Sequence, residues 1–162
     1  MSLPVSGSNT DPTPWRIIIG ILLIGALLIF GCTNPPQPTS NNLFEKLSDT
    51  PCLIDGKPII RYFSTSWCPH CKYIDPIFNA VMQEYNGKII ARHYVVDLNL
   101  PSDIEMAEFR KFSPNGNIPA FSFGCQYYKI GNSYSETKES IDAEKTEFRR
   151  VIDLLLADSM IQ

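Results

Sequence analysis

The segment Trp67-Cys68-Pro69-His70-Cys71 constrains this chain more than any other, because two cysteines three positions apart stand where the sequence changes its period. Before them, Pro58 to Ser64 (PIIRYFS) is rich in β-branched and aromatic residues and predicts a strand. After them, Tyr73, Ile74, Ile77, Phe78, Val81 and Met82 recur at spacings of three and four and predict a helix from Pro69. Pro69 suits the first helical turn, where no amide donor is needed. Asn86-Gly87 is the stop signal. A CxxC pair on a strand-to-helix junction points to redox or metal chemistry rather than to packing alone.

The remaining pattern is short and alternating. Leu43 to Ser48 (LFEKLS) predicts a short helix, and Asp55-Gly56 a turn ahead of the first strand. Lys88 to Leu98 predicts a second strand. Ser102 to Phe112 predicts an amphipathic helix with Ile104, Met106, Phe109 and Phe112 on its apolar face. After the loop Asn115-Gly116-Asn117, Pro119 to Gly124 and Gln126 to Ile130 predict two strands. Gly131 to Glu139 is a polar loop. Asp142 to Asp158 predicts the last helix, with Asp142 as N-cap and Phe148, Val151, Ile152 and Leu155 facing inward. The order β-α-β-α-β-β-α is an α/β class. A right-handed parallel crossover followed by a hairpin gives a mixed central sheet flanked by helices on both faces.

The amino-terminal part reads differently. Ile17 to Gly31 (IIIGILLIGALLIFG) is an unbroken run of apolar and Gly residues, preceded by Arg16 and followed by no Lys or Arg until Lys46. The positive-inside bias leaves residues 1–16 as a cytoplasmic lead and exports the part of the chain beyond the run. The run is short of the roughly 20 residues of a spanning helix. Three readings stay open for residues 17–32. One is an uncleaved transmembrane signal anchor. Another is a lipoprotein-type signal, since Ile29-Phe30-Gly31-Cys32 resembles a lipobox and would be lipidated at Cys32. The third is a buried soluble helix. Residues 33–42, with Pro35, Pro36 and Pro38, form a stiff linker to a folded domain over residues 43–162. The net charge of −3 and the lack of a basic block exclude nucleic acid as a partner class.

Four features in order resemble the thioredoxin-like superfamily over Pro58 to Leu156. WCPHC follows a strand and opens a helix. Pro76 lies five residues after Cys71, where thioredoxins carry a helix-kinking proline. Asp97 falls near the end of the second strand, as in the family's strand ending in an acid. Ile118-Pro119, in NIPAFSF, resembles the family's cis-proline loop. The anchor together with this domain is similar to the small membrane-anchored, TlpA-like oxidoreductases, with a CPHC motif of the DsbA type.

The resemblance implies a thiol–disulfide oxidoreductase without cofactor or bound metal. Cys68 would be the exposed nucleophile, favoured as thiolate by the free N–H groups of the helix start. Cys71 would be the shielded resolving thiol. Pro69, His70 and Trp67 would tune the pair, and Ile118 and cis-Pro119 would hold the substrate chain. CPHC fits an oxidant, whereas Ile118 and the lack of room for an inserted helical domain fit smaller reductases. Both directions stay open. The family's buried aspartate is replaced by Tyr62, and its partner lysine falls at His93. His93 then either helps move protons or is a plain strand residue. The fold's antiparallel strands also bring Cys52 and Cys125 towards one edge of the sheet, opposite the active site. They would form a structural disulfide there or stay as two buried thiols. Partners would be cysteine-containing exported proteins, apocytochromes among them, and a membrane or soluble redox partner. The competing readings are a metal-binding module using Cys52, Cys68, Cys71 and Cys125, and a redox-inert chaperone-type module.

Overall fold

A computed structural model describes residues 43–159. The expected cytoplasmic lead, the expected anchor or lipoprotein-type signal with Cys32, and the expected linker all lie outside the described residues. Among the described residues no helix is long and apolar enough to cross a membrane.

The elements are β1 (Glu45–Lys46), β2 (Leu53–Ile54), β3 (Lys57–Ser64), α1 (Pro69–Glu84), β4 (Ile90–Val95), α2 (Asp103–Phe112), β5 (Ala120–Phe123), β6 (Tyr127–Ile130) and α3 (Ile141–Ser159). β3 lies at the centre. It pairs in parallel with β4, Tyr62 opposite His93, and antiparallel with β5, Tyr62 opposite Phe121. β6 pairs antiparallel with β5, and β1 with β6. The sheet is therefore mixed, as a βαβ unit followed by a hairpin requires.

Strand alternation decides which helix covers which face. Ile60 and Tyr62 point to the side of α1 and α3. They pack in one core with Ile74, Ile77, Phe78 and Val81 of α1 and Phe148, Val151, Ile152 and Leu155 of α3. Phe63 points the other way and packs with Phe109 and Phe112 of α2 and with Ala120. Phe148 is fully buried against Phe44, Phe78, Phe121 and Phe123. Burying a side chain of this size contributes about 1.5–3 kcal/mol.

Helix boundaries follow local chemistry. Ser102 and Glu105 form a reciprocal capping box at the start of α2. α1 continues through Pro76, which lacks the amide that would bond the Lys72 carbonyl.

Two expectations need correction. Leu43 to Ser48 is not helical. Six residues are too few to nucleate a helix unaided, and Phe44 instead inserts against Phe123, with ring centroids 4.5 Å apart. That places Glu45 and Lys46 opposite Tyr128 and Tyr127 as an edge strand. Asp142 is not an N-cap. A 3-10 turn, Lys138–Ser140, leads directly into α3 at Ile141, so Asp142 lies inside the first turn. The turn expected at Asp55-Gly56 is present, and it closes a hairpin between β2 and β3. Both residues have positive φ, 51° and 73°, the geometry of a type I′ turn that glycine accepts without strain.

Candidate active site

β3 ends at Ser64, and the chain turns through Thr65 and Ser66 into the cysteine pair. Asp97, just after β4, pins this turn by accepting from the Ser66 amide at 2.9 Å and from the Ser66 hydroxyl at 2.5 Å. These bonds hold the Asp97 carboxyl below the usual carboxylate range, the Ser66 hydroxyl contributing most.

Cys68 and Cys71 are joined by a disulfide. Cys68 is the N-cap of α1, Pro69 opens the helix, and the Cys68 sulfur accepts from the Cys71 amide at 3.1 Å. On reduction that amide and the helix terminus face the Cys68 sulfur, the arrangement that favours a thiolate. Cys68 is only 3% exposed and Cys71 1%, so the expectation of an exposed nucleophile is corrected for the oxidised pair. Its sulfur is turned onto Cys71 and its side chain belongs to the main core. Trp67 stands out instead, 69% exposed beside the pair.

The Ile118–Pro119 peptide bond is cis and leads into β5. Ile118 and Pro119 line a cleft of about 320 Å³ together with His70, Asn132, Tyr134 and Glu136. The cleft therefore runs between the cis-proline loop, the first turn of α1 and the loop after β6.

His70 has a partner that the sequence pattern does not reveal. Its Nδ1 lies 2.5 Å from Glu136 Oε1, and the Asn132 amide donates to the same oxygen at 2.6 Å. One helical turn on, the Tyr73 hydroxyl donates to the Thr137 carbonyl at 3.1 Å. The loop after β6 is thus fastened twice to α1. Glu136 is 66 residues from His70, and no local motif marks it.

Beneath the pair, Tyr62 occupies the position of the family aspartate. The structure nevertheless brings a carboxylate there, from Asp75, one helical turn past Cys71 on the same face of α1. The Tyr62 hydroxyl donates to Asp75 Oδ1 at 2.6 Å and lies 3.4 Å from the Cys71 carbonyl oxygen. Burial first, then Asp75, push the Tyr62 hydroxyl far above its ordinary range, so it serves as a neutral donor and not as a base. The His93 ring stacks on Tyr62 at 4.1 Å, its Nε2 2.6 Å from Ser64 Oγ and 4.0 Å from Asp75 Oδ1. An i to i+4 spacing from Cys71 could have flagged Asp75.

Burial lowers the His93 pKa, with Asp75 opposing. A histidine that resists charging only in the folded state makes stability fall as the unfolded chain takes up its proton. The denaturation midpoint should therefore be flat near neutrality and fall below pH ~6.5, the ordinary histidine value. His93→Gln should flatten that limb in equilibrium denaturation at stepped pH. An unchanged limb would assign it elsewhere.

The second cysteine pair lies at the opposite end of β3. Cys52 and Cys125 are joined by a disulfide across 73 residues. The Cys52 amide donates to the Gly124 carbonyl at 2.7 Å, beside the first residues of β3. With the four sulfurs bonded in two pairs, no common metal site is formed by them. Among the described residues no group of three or more His, Cys, Asp or Glu side chains is arranged to hold a metal ion.

Residues 39–123 match the thioredoxin family. Thioredoxin of Rattus norvegicus is 28% identical over 105 residues, which cover 64% of this chain and 91% of that protein. Thioredoxin H-type of Chlamydomonas reinhardtii is 42% identical over a shorter stretch of 43 residues, covering 26% of this chain and 38% of that protein. Protein disulfide-isomerase A4 of Homo sapiens is 28% identical over 93 residues, covering 51% of this chain and only 14% of that protein. The match takes in β3, the cysteine pair at the head of α1 and the cis-proline ahead of β5, and its pair supports thiol–disulfide oxidoreductase activity: the chain belongs to the thioredoxin family.

Proposed function

We propose that the protein is a membrane-anchored, extracytoplasmic thiol–disulfide oxidoreductase that exchanges disulfides with cysteine-containing exported proteins. The observation that carries the chemistry is the Cys68–Cys71 disulfide at the head of α1, its sulfur on the Cys71 amide, next to the cleft lined by cis-Pro119. The observation that favours the location is the apolar run Ile17 to Gly31 behind Arg16, followed by the proline-rich stretch to Asn42.

In the reduced protein the Cys68 thiolate attacks a substrate disulfide. The Cys68–substrate bond forms, the substrate bond breaks, and its electron pair leaves on the released substrate sulfur. Cys71, deprotonated, then attacks Cys68, closes the disulfide again and releases the second substrate thiolate. Substrate oxidation is the reverse. Ile118 and Pro119 hold the substrate chain along the cleft. A part-buried carboxylate stands one turn from Cys71 in the Tyr62–Asp75 pair.

Cys71→Ser in the source cells tests the reading, because it stops the cycle after the first attack. Mixed disulfides at Cys68 should accumulate and dissolve on reduction, and the captured proteins should be exported ones. Capture of cytosolic proteins alone would overturn the location. A failure to capture any thiol protein would overturn the exchange itself.

A further inference from the structure

The bond between Cys52 and Cys125 is surrounded by groups that a plain covalent staple does not need. Arg61, on β3, places its Nη1 3.4 Å from the Cys125 sulfur. A disulfide sulfur is a weak, uncharged acceptor. Arg61 Nε is buried without a hydrogen-bond partner, and among the described residues Arg61 joins no ion pair. The neighbouring carboxylates are engaged elsewhere. Glu108 takes the Ser122 hydroxyl at 3.3 Å and the Lys111 ammonium at 3.0 Å. Glu105 takes Arg92, the cation aligned with Arg61 on β4. A half-buried guanidinium with no anion is an unfavourable arrangement. The anion it would match appears when Cys125 is released as a thiolate.

The two residues differ in exposure in the same sense. Cys125 is 8% exposed, held in the turn between β5 and β6 with φ of 57°. Cys52 is partly open. A cleft of about 440 Å³ lies over the bond, lined by both cysteines with Leu47, Thr50 and the Lys111–Glu108 ion pair. It has room for a small thiol to approach Cys52.

We infer that Cys52–Cys125 is a second exchange centre, opened by a low-molecular-weight thiol that attacks Cys52 and expels Cys125 as a thiolate paired with Arg61. In the first step a deprotonated thiol forms a bond to the Cys52 sulfur. The Cys52–Cys125 bond breaks, and its electron pair leaves on Cys125. In the second step another deprotonated thiol attacks the small-molecule sulfur of the mixed disulfide and releases Cys52. Two thiols are oxidised to one disulfide, and the protein disulfide is reduced to two cysteines. One of the two thiol protons passes through solvent to Cys52, and the other stays in solvent while Cys125 remains ionised. The order of attack follows from the leaving group, since the sulfur whose thiolate is better stabilised departs faster.

The test equilibrates the full-length chain with graded reduced and oxidised glutathione, quenches with acid, alkylates and maps peptides by mass. Both cysteine pairs are then read in one sample. Cys52–Cys125 should open within the gradient, and the glutathione adduct should sit on Cys52. Arg61→Gln should need about tenfold more reducing glutathione at the Cys52–Cys125 midpoint, the scale of one lost charged hydrogen bond. The Cys68–Cys71 midpoint should not move. The inference is overturned if Cys52–Cys125 stays closed where Cys68–Cys71 is fully reduced, if the adduct is on Cys125, or if Arg61→Gln leaves the midpoint unchanged. Should Arg61→Gln not fold, the position of the adduct in the wild-type chain decides alone.

Discussion

Cys68→Ser is expected to lower reduction of a disulfide-linked test protein to the rate of the buffer control while leaving the domain folded. The two effects separate because Cys68 has two jobs. Its sulfur is the proposed nucleophile, and it is also the N-cap acceptor for the Cys71 amide. A serine hydroxyl fills the capping role as well as any side chain but does not provide a thiolate for exchange. Cys71→Ser leaves the first attack intact and removes the release step, so that variant should bind disulfide substrates covalently and turn over none. Reduction of a disulfide-linked test protein, followed beside a denaturation curve for each variant, checks both. Residual turnover by Cys68→Ser above control would show a different attacking group.

Glu144→Ala is expected to destabilise the domain by about 3–5 kcal/mol, the usual cost of leaving one buried charge without its partner. Glu144 and Lys129 both have fully buried side chains, 3.3 Å apart. Lys129 also donates to the Ser133 hydroxyl at 2.8 Å and lies over the ring of Phe148 at 4.7 Å. Burial pushes the Lys129 pKa down, and Glu144 is the main force holding it up. Glu144 further accepts from the Tyr134 amide at 2.8 Å, so its loss frees the loop that carries Glu136 towards His70. The double change Lys129→Met with Glu144→Leu should recover most of the loss, because a packed apolar pair can replace a buried ion pair at little cost. Urea denaturation of the two single variants and the double variant measures the coupling. A Glu144→Ala loss below about 1 kcal/mol would place this pair with the weakly coupled ones.

How far the sequence could be read depends on the range of each contact. β3, α1, β4, α2, β5 and β6 are local patterns, and their ends move by only a few residues between sequence and structure. The cysteine spacing, Pro76 and Ile118-Pro119 are equally local, and they carried the family resemblance. What escaped were contacts made across the fold. Phe44 is drawn into the core by Phe123, 79 residues away, and this tertiary contact outweighs the weak helical tendency of Leu43 to Ser48. Glu136, Asp75 and Arg61 carry charge to the active pair, to Tyr62 and to Cys125 from other elements. The burial of Lys129 is another such contact, since three aromatic rings and Glu144 from other elements surround it.

The most direct test of the central claim is a redox titration of Cys68 and Cys71 in the wild-type chain, read by alkylation and mass at each residue. The two cysteines should pass together and reversibly between disulfide and dithiol. The midpoint should fall between the values of about −120 and about −270 mV that bracket the exchange proteins of this fold. A pair that stays closed below about −300 mV, as structural disulfides do, would contradict the account.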